Sequence, residues 1–179
     1  MKTRKREVFI LDSSAFIAGL EGKLQGEAYT TPEVVGELKT SSLIKAFETV
    51  RDAGKLKVLE ANRKDFEAVV EAAASTGDLP KLSKADLSLL ALAVKLRSGG
   101  FKPTLVTGDY SIQNVAEKLG LPYSAFPGGI KQAIQWVIYC PSCGKTYPSN
   151  FKIEVCQVCG EKLKRKAKSK RRLRRKPQP

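Results

Sequence analysis

Short apolar runs alternate with stretches in which apolar residues recur every three or four positions, and this rhythm continues through residues 7–126. The first run, EVFILD (7–12), sets four apolar residues between two acids, the mark of a strand buried on both faces. AYTT (28–31) reads as a short strand halted by Pro32, with Thr31 and Pro32 suited to the N-cap and first position of a helix. The helical pattern over 32–54 breaks near residues 40–42, and 55–61 alternates as a strand does. Residues 63–77 form a helix closed by Gly77, and 83–100 a helix rich in Ala and Leu that ends at two glycines. A strand over 103–109, a helix over 110–120 and a short strand over 121–126 follow. Strands alternating with helices predict an α/β fold, a parallel sheet covered on both faces, with ligands binding beyond the carboxyl ends of the strands.

Pro127-Gly128-Gly129 marks a boundary, and the pattern of 130–139 fits a connecting helix and an extended segment equally. The expected organisation is an α/β domain over 1–127, a linker over 128–138, a cysteine module over 139–162 and a tail over 163–179. The 179 residues suffice for one ordinary domain with a real core plus a small appendage. No run of about 18 apolar residues suggests a membrane span, and the apolar run after MKTRKRE is too short for a signal peptide. The expectation is a soluble, cytoplasmic protein.

Charge separates the tail from the body. Of the 32 Lys and Arg, eleven lie in 162–176: Lys162, Lys164, Arg165, Lys166, Lys168, Lys170, Arg171, Arg172, Arg174, Arg175 and Lys176. The rest of the chain carries 21 basic against 18 acidic residues, a balance of +3. A polycation with so little apolar surface is expected to be disordered until it meets a polyanion. Contacts to nucleic-acid phosphates release counterions, which makes RNA or DNA the natural partner; a solubilising or targeting tail is the alternative.

The four cysteines form two CxxC pairs, Cys140/Cys143 and Cys156/Cys159, each followed by a glycine. Two such knuckles complete a tetrahedral four-thiolate Zn2+ site. Two disulfides are the competing account, disfavoured in a reducing compartment. Four thiolates leave no open coordination position, so the predicted zinc is structural, and folding of the ribbon is coupled to it. Trp136, Tyr139, Tyr147 and Phe151 flank the site among lysines, either to stack on bases or to pack the module.

The chain has no histidine. The commonest general base is therefore absent, and hydrolytic chemistry must use carboxylates, metal ions or both. Asp12 ends the first strand, Asp109 follows the strand TLVTG, Asp86 opens the helix SKADLSLLALA, and Glu37 sits on the helix after the second strand. Each has a local role available, as N-cap, as the acid of a Ser83/Asp86 capping box, or as helix former. All four nevertheless fall at one edge of a parallel sheet. Carboxylates gathered there repel one another unless a divalent cation sits among them, and Mg2+ or Mn2+ suits all-oxygen ligands. The chemistry indicated is metal-dependent phosphodiester hydrolysis.

The ordered motifs FILDSSAFI, TTPEVVGEL, LSKADLSLLALA and LVTGDYSIQNVA resemble those of PIN-domain nucleases, over roughly residues 7–126. The resemblance implies a three-layer α/β/α fold in which Asp12, Glu37, Asp86 and Asp109 ligate one or two Mn2+ or Mg2+ ions. It further implies that Ser13 and Thr107 line the site, that an activated water attacks phosphorus, and that products carry 5′-phosphate and 3′-hydroxyl ends. Glu33 shares a helix face with Glu37, so the helical ligand is either; the family pattern favours Glu37. Asp78, in TGDLP, is either a turn residue or a contributor to the acidic site.

A PIN-like domain followed by a four-cysteine ribbon and a basic tail is similar to the Nob-type endoribonucleases of ribosome biogenesis, in their compact archaeal form. TTPEVVGEL and TGDLPKLSKADLSLLALA carry that likeness. It implies cleavage of single-stranded precursor small-subunit (16S-type) rRNA at its mature 3′ end, on the pre-ribosomal small subunit and beside assembly factors. Oligomeric state stays open. A non-catalytic RNA-binding assembly factor and a DNA- or flap-directed nuclease are the competing readings.

Overall fold

The computed structural model describes residues 6–19, 26–124, 132–149, 151 and 153–172, with backbone only at 132–134 and 170–172. Five strands, β1 (Glu7–Leu11), β2 (Glu27–Thr30), β3 (Leu56–Val58), β4 (Lys102–Val106) and β5 (Tyr123–Ser124), form a sheet in the order β3-β2-β1-β4-β5. Every pairing in it is parallel. The chain leaves β1 toward β2 and β3, then returns to the other side of β1 for β4. The carboxyl ends of β1 and β4 therefore flank the topological switch point, where open α/β sheets bind ligands.

Side chains of each strand alternate between two layers. Val8 and Ile10 of β1, Tyr29 of β2 and Leu105 of β4 enter one core with α4 (Arg63–Thr76), α5 (Lys84–Ser98) and α6 (Tyr110–Leu119). Leu11, Ala28 and Val106 enter the other, with Phe16 of α1 (Ser13–Ile17) and Phe47 of α3 (Ser41–Asp52). This is the expected three-layer α/β/α arrangement. It accounts for the unbroken apolar runs of the strands and for Leu89, Leu90, Ala91, Leu92 and Ala93 all being fully buried in α5.

The helical pattern over 32–54 resolves into α2 (Pro32–Gly36) and α3, and Thr40 caps α3 by accepting from Leu43 N. Glu37 is thus the C-cap of α2 rather than a residue of its interior, although its backbone keeps αR geometry. Among the described residues no helix is long and apolar enough to cross a membrane.

Past residue 131 the structure differs from expectation in two places. Most of the expected linker is β6 (Gln132–Tyr139), extended and paired antiparallel with β7 (Thr146–Tyr147) and β8 (Lys164–Arg172). β8 occupies much of the tail expected to lack regular structure. Its order comes from backbone hydrogen bonds to β6, a partner far away in sequence, which a local count of charge and apolar content does not register. A bulge at Gln135/Trp136 separates two stretches of regular pairing. Pro127, Gly128 and Gly129, together with Arg174, Arg175 and Lys176, lie outside the described residues, as do the side chains of Lys170, Arg171 and Arg172.

Candidate active site and metal centre

Asp12 leaves the end of β1 and caps α1, with 5% of its surface exposed. Its Oδ1 accepts from Ser13 N at 2.7 Å and from Ser13 Oγ at 3.3 Å. Its Oδ2 accepts from Ser14 Oγ and from Thr107 Oγ1, both at 2.8 Å. The two hydroxyls then accept from the neighbouring strand end, Ser14 Oγ from Gly108 N at 3.1 Å and Thr107 Oγ1 from Asp109 N at 3.0 Å. The carboxylate is therefore both cap and crosslink, tying the two strand ends at the switch point together.

Asp109 caps α6 by accepting from Ser111 N and Ile112 N, and its side chain stands in solvent. Asp86 closes the predicted capping box: Ser83 N donates to its Oδ2 at 2.7 Å while Asp86 N donates to Ser83 Oγ at 3.1 Å. Both aspartates thus fill the local capping roles that the sequence offered. Burial pushes the Asp86 carboxyl above its ordinary value; the hydrogen bonds from Ser83 pull it partly back, and the charges of Asp12 and Asp109 push it further up. The three aspartates share one electrostatic neighbourhood. Among the described residues no Lys or Arg forms an ion pair with any of them. Carboxylate oxygens are the donor type that a hard divalent cation takes, although among the described residues the four cysteines are the group whose ligand atoms already stand close enough together to hold an ion.

The other acids are placed differently. Glu37 is exposed at the end of α2, and Glu33 pairs with Lys84 at 3.5 Å. Asp78 is not held with the three aspartates. Its Oδ1 accepts from Arg165 Nη2 at 2.8 Å and its Oδ2 from Asn114 Nδ2, so both oxygens are committed to a buried contact between the domain and the hairpin. Ser13 and Thr107 do line Asp12. Ser14, which joins Asp12 to Gly108, was missed by sequence reasoning; its position in LDSS was the available signal.

The four cysteines meet as predicted. Their Sγ atoms all lie within 4.8 Å of one another, with 3.4 Å between Cys140 and Cys159 and 3.5 Å between Cys143 and Cys156. These gaps are far wider than the ~2.05 Å of a disulfide and near the ~3.8 Å edge of a tetrahedron of thiolates around zinc at ~2.3 Å. The two knuckles repeat one another: Gly144 N donates to Cys140 O and Gly160 N to Cys156 O, with φ of +75° and +74° at the glycines.

Tyr147 stacks on Phe151 at 4.5 Å and sets its hydroxyl 3.1 Å from Cys156 Sγ. That hydroxyl, chiefly, brings the Cys156 thiol down to about 6. Cys143 is pushed up to about 12, although its largest single influence, the backbone hydrogen bond at Lys145, lowers it; burial and the other three thiols outweigh that bond. The aromatics of the module are thus engaged in packing. Tyr147 and Phe151 support the knuckles, Trp136 lies 4.2 Å under the Arg165 guanidinium, and Tyr139 lies 4.4 Å under Lys166 Nζ.

Strand geometry sorts the basic residues. Arg165 and Ala167, cross-strand from Ile138 and Trp136, lie on the face turned to the α/β domain. Lys164 and Lys166, cross-strand from Tyr139 and Val137, are exposed on the other, and Lys162 and Lys168 are exposed as well. Among the predicted RNA contacts whose side chains are described, Arg165 is the exception, because its guanidinium is taken up by Asp78 and Trp136.

A family model described as the PIN domain of ribonuclease matches residues 9–96. The chain is 39% identical over 155 residues to the endoribonuclease Nob1 of Pyrococcus abyssi, covering 87% of this chain and 91% of that protein. It is 40% identical over 174 residues to the endoribonuclease Nob1 of Methanocaldococcus jannaschii, covering 95% and 83%. The 20S-pre-rRNA D-site endonuclease NOB1 of Saccharomyces cerevisiae is 31% identical over 115 residues, covering 60% of this chain and 25% of that one.

Proposed function

The chain belongs to the PIN-domain endoribonucleases of the Nob1 family, and from that membership we propose that it cuts precursor small-subunit rRNA in a single-stranded stretch to create the mature 3′ end. The observation that carries the reading is the juxtaposition of Asp12 and Asp109 at the switch point, joined through the Thr107 hydroxyl, with no Lys or Arg among the described residues in an ion pair with either.

Asp12, Asp86 and Asp109 are the residues that would hold Mn2+ or Mg2+, with Glu37 as the fourth acid. The cation, when bound, supplies positive charge against the scissile phosphate and lowers the pKa of water to make a nucleophile at neutral pH. The protein's part is orientation. Ser14 and Thr107 fix Oδ2 of Asp12, Ser13 fixes Oδ1, and the capping bonds of Asp86 and Asp109 orient those carboxylates. Oxygens locked in this way lose little entropy on binding a cation or substrate. Structural Zn2+ on Cys140, Cys143, Cys156 and Cys159 holds the ribbon from which the lysine-bearing strand emerges. The yeast relative's name supplies the substrate class, and exposed Lys162, Lys164, Lys166 and Lys168 supply the phosphate affinity it requires. The proposed setting is the cytoplasm, on the pre-ribosomal small subunit.

The test is cleavage of a short RNA spanning the mature 3′ end of small-subunit rRNA, with Mn2+ and with EDTA, by wild type, Asp12→Asn and Asp86→Asn. A single cut that needs the cation and both aspartates supports the reading. Cleavage indifferent to EDTA and to both substitutions overturns it, and tight binding without any cut transfers the role to a non-catalytic assembly factor.

A further inference from the structure

We propose that Asp78 and Arg165 form a latch that fixes the basic hairpin on the nuclease domain and thereby selects which phosphodiester reaches the carboxylates. The latch is argued from contacts between the two parts; its consequence for cleavage rests on the nuclease reading above.

Asp78 follows the Gly77 cap of α4 and is 2% exposed. One carboxylate there joins three elements: α4, α6 through Asn114, and β8 through Arg165, 87 positions downstream. The Arg165 guanidinium is sandwiched into the same contact by Trp136, over which Lys81 Nζ also stands, at 5.5 Å. Gly77 has φ of +77°, and a Cβ there would fall 2.8 Å from the Cβ atoms of both Trp136 and Ser149. The backbone of the domain and the hairpin thus approach to a distance that only glycine permits. Ser149 adds a hydrogen bond from Oγ to Ala74 O at 2.6 Å. β6, the ribbon and β8 each contribute to this one seam.

With Asp78 buried and Arg165 half-buried, the ion pair contributes more to geometry than to net stability, because desolvation offsets the attraction. Here the geometry concerns the active site. Asn114, which grips Asp78, lies five residues along α6 from the Asp109 that caps it, or about 7.5 Å along the helix axis at 1.5 Å per residue. A short rigid element therefore runs from a candidate metal ligand to the latch and on to the strand that carries Lys164 and Lys166. RNA held on the outer face of that strand enters the site at a set offset. Asp78 and Arg165 are positioning residues for the cut rather than participants in it.

The experiment uses the zinc-loaded full chain. Arg165→Met alone strands the buried Asp78 charge and risks the fold, so it is paired with Asp78→Asn, which removes both charges and leaves an acceptor for Asn114; Arg165→Lys is the conservative control. Backbone 15N relaxation should give one rotational correlation time for both parts in wild type and Arg165→Lys, and a distinct, shorter one for the hairpin in the double variant. On an RNA long enough to cover the hairpin, wild type should cut at one bond, and the double variant should lose that single cut to a spread over neighbouring bonds. Its rate on a short RNA confined to the carboxylate edge should be unchanged. Independent tumbling in wild type, or a double variant that stays docked and cuts at the same bond, overturns the latch. A wild type that cuts no RNA overturns the nuclease reading and the cleavage consequence, while the relaxation arm still decides the latch.

Discussion

Thr107 donates its hydroxyl hydrogen to Oδ2 of Asp12 over 2.8 Å and accepts from the backbone N–H of Asp109 over 3.0 Å. One buried side chain from the end of β4 thus sets the spacing between two of the candidate metal ligands. It also shows why a carboxylate is tolerated at the end of so apolar a strand: the two oxygens of Asp12 receive four hydrogen bonds.

Thr107→Val should remove both of these bonds at constant volume. The expected cost is about 1–3 kcal/mol, since a buried oxygen and a backbone N–H each lose a partner. Urea unfolding measures that cost. RNA cleavage should fall through kcat with RNA affinity retained, and Thr107→Ser should restore it. A Val variant with wild-type kcat would remove Thr107 from the site.

Asp86→Asn should stabilise the cation-free protein at neutral pH while abolishing cleavage. The sign follows from the raised carboxyl. A group that holds its proton more tightly when folded contributes stability below its unfolded value, and that stability is lost as pH rises through the folded value. Ionised Asp86 is therefore a penalty at pH 7 in the absence of a cation, and the amide relieves it. Thermal unfolding in EDTA should show a higher midpoint for the variant, and Mn2+ should raise the wild-type midpoint more.

Lys164, Lys166 and Lys168, changed together to Gln, should weaken RNA binding without altering the cut. Each phosphate contact to a single strand contributes about 0.7 to the slope of log K against log salt. The triple variant should therefore flatten that slope by about 2, as read from binding isotherms at several salt concentrations. An unchanged slope would place the RNA on another surface.

Tyr147→Phe should weaken zinc retention, because it removes the hydroxyl that chiefly holds the Cys156 thiol near 6. Thiolates, not thiols, bind the metal, so a higher thiol pKa makes protons stronger competitors. A chelator competition at pH 6 and pH 8 should show the variant losing zinc faster, with the larger gap at pH 6. Stripping wild type of zinc should melt the ribbon, whose buried core among the described residues is Cys140, Tyr147 and Cys156 with a few partly buried neighbours, and spare the five-stranded sheet.

Local order was legible in the residues themselves. Apolar runs, the Thr31-Pro32 entry, the Ser83/Asp86 box and the Gly77 stop are short-range signals, and α2, α4, α5 and the parallel strands follow them. The cysteine cluster was legible for the same reason, since two knuckles specify their own ligand spacing. That Asp12 and Asp109 lie at neighbouring strand ends followed from parallel topology, which brings the carboxyl ends of β1 and β4 to one edge. Tertiary structure alone decided the rest. Ser14 and Thr107 became partners of one carboxylate only when β1 and β4 lay side by side. Asp78 and Arg165, one read as a turn or site acid and the other as a loose cation, turned out to be partners across 87 positions. β8 formed in a segment whose composition argued against order because β6 supplied the missing half of its hydrogen bonds. Composition and periodicity register what a residue can do within a turn or two of chain; pairing between distant segments depends on the closure of the fold, which no local window contains.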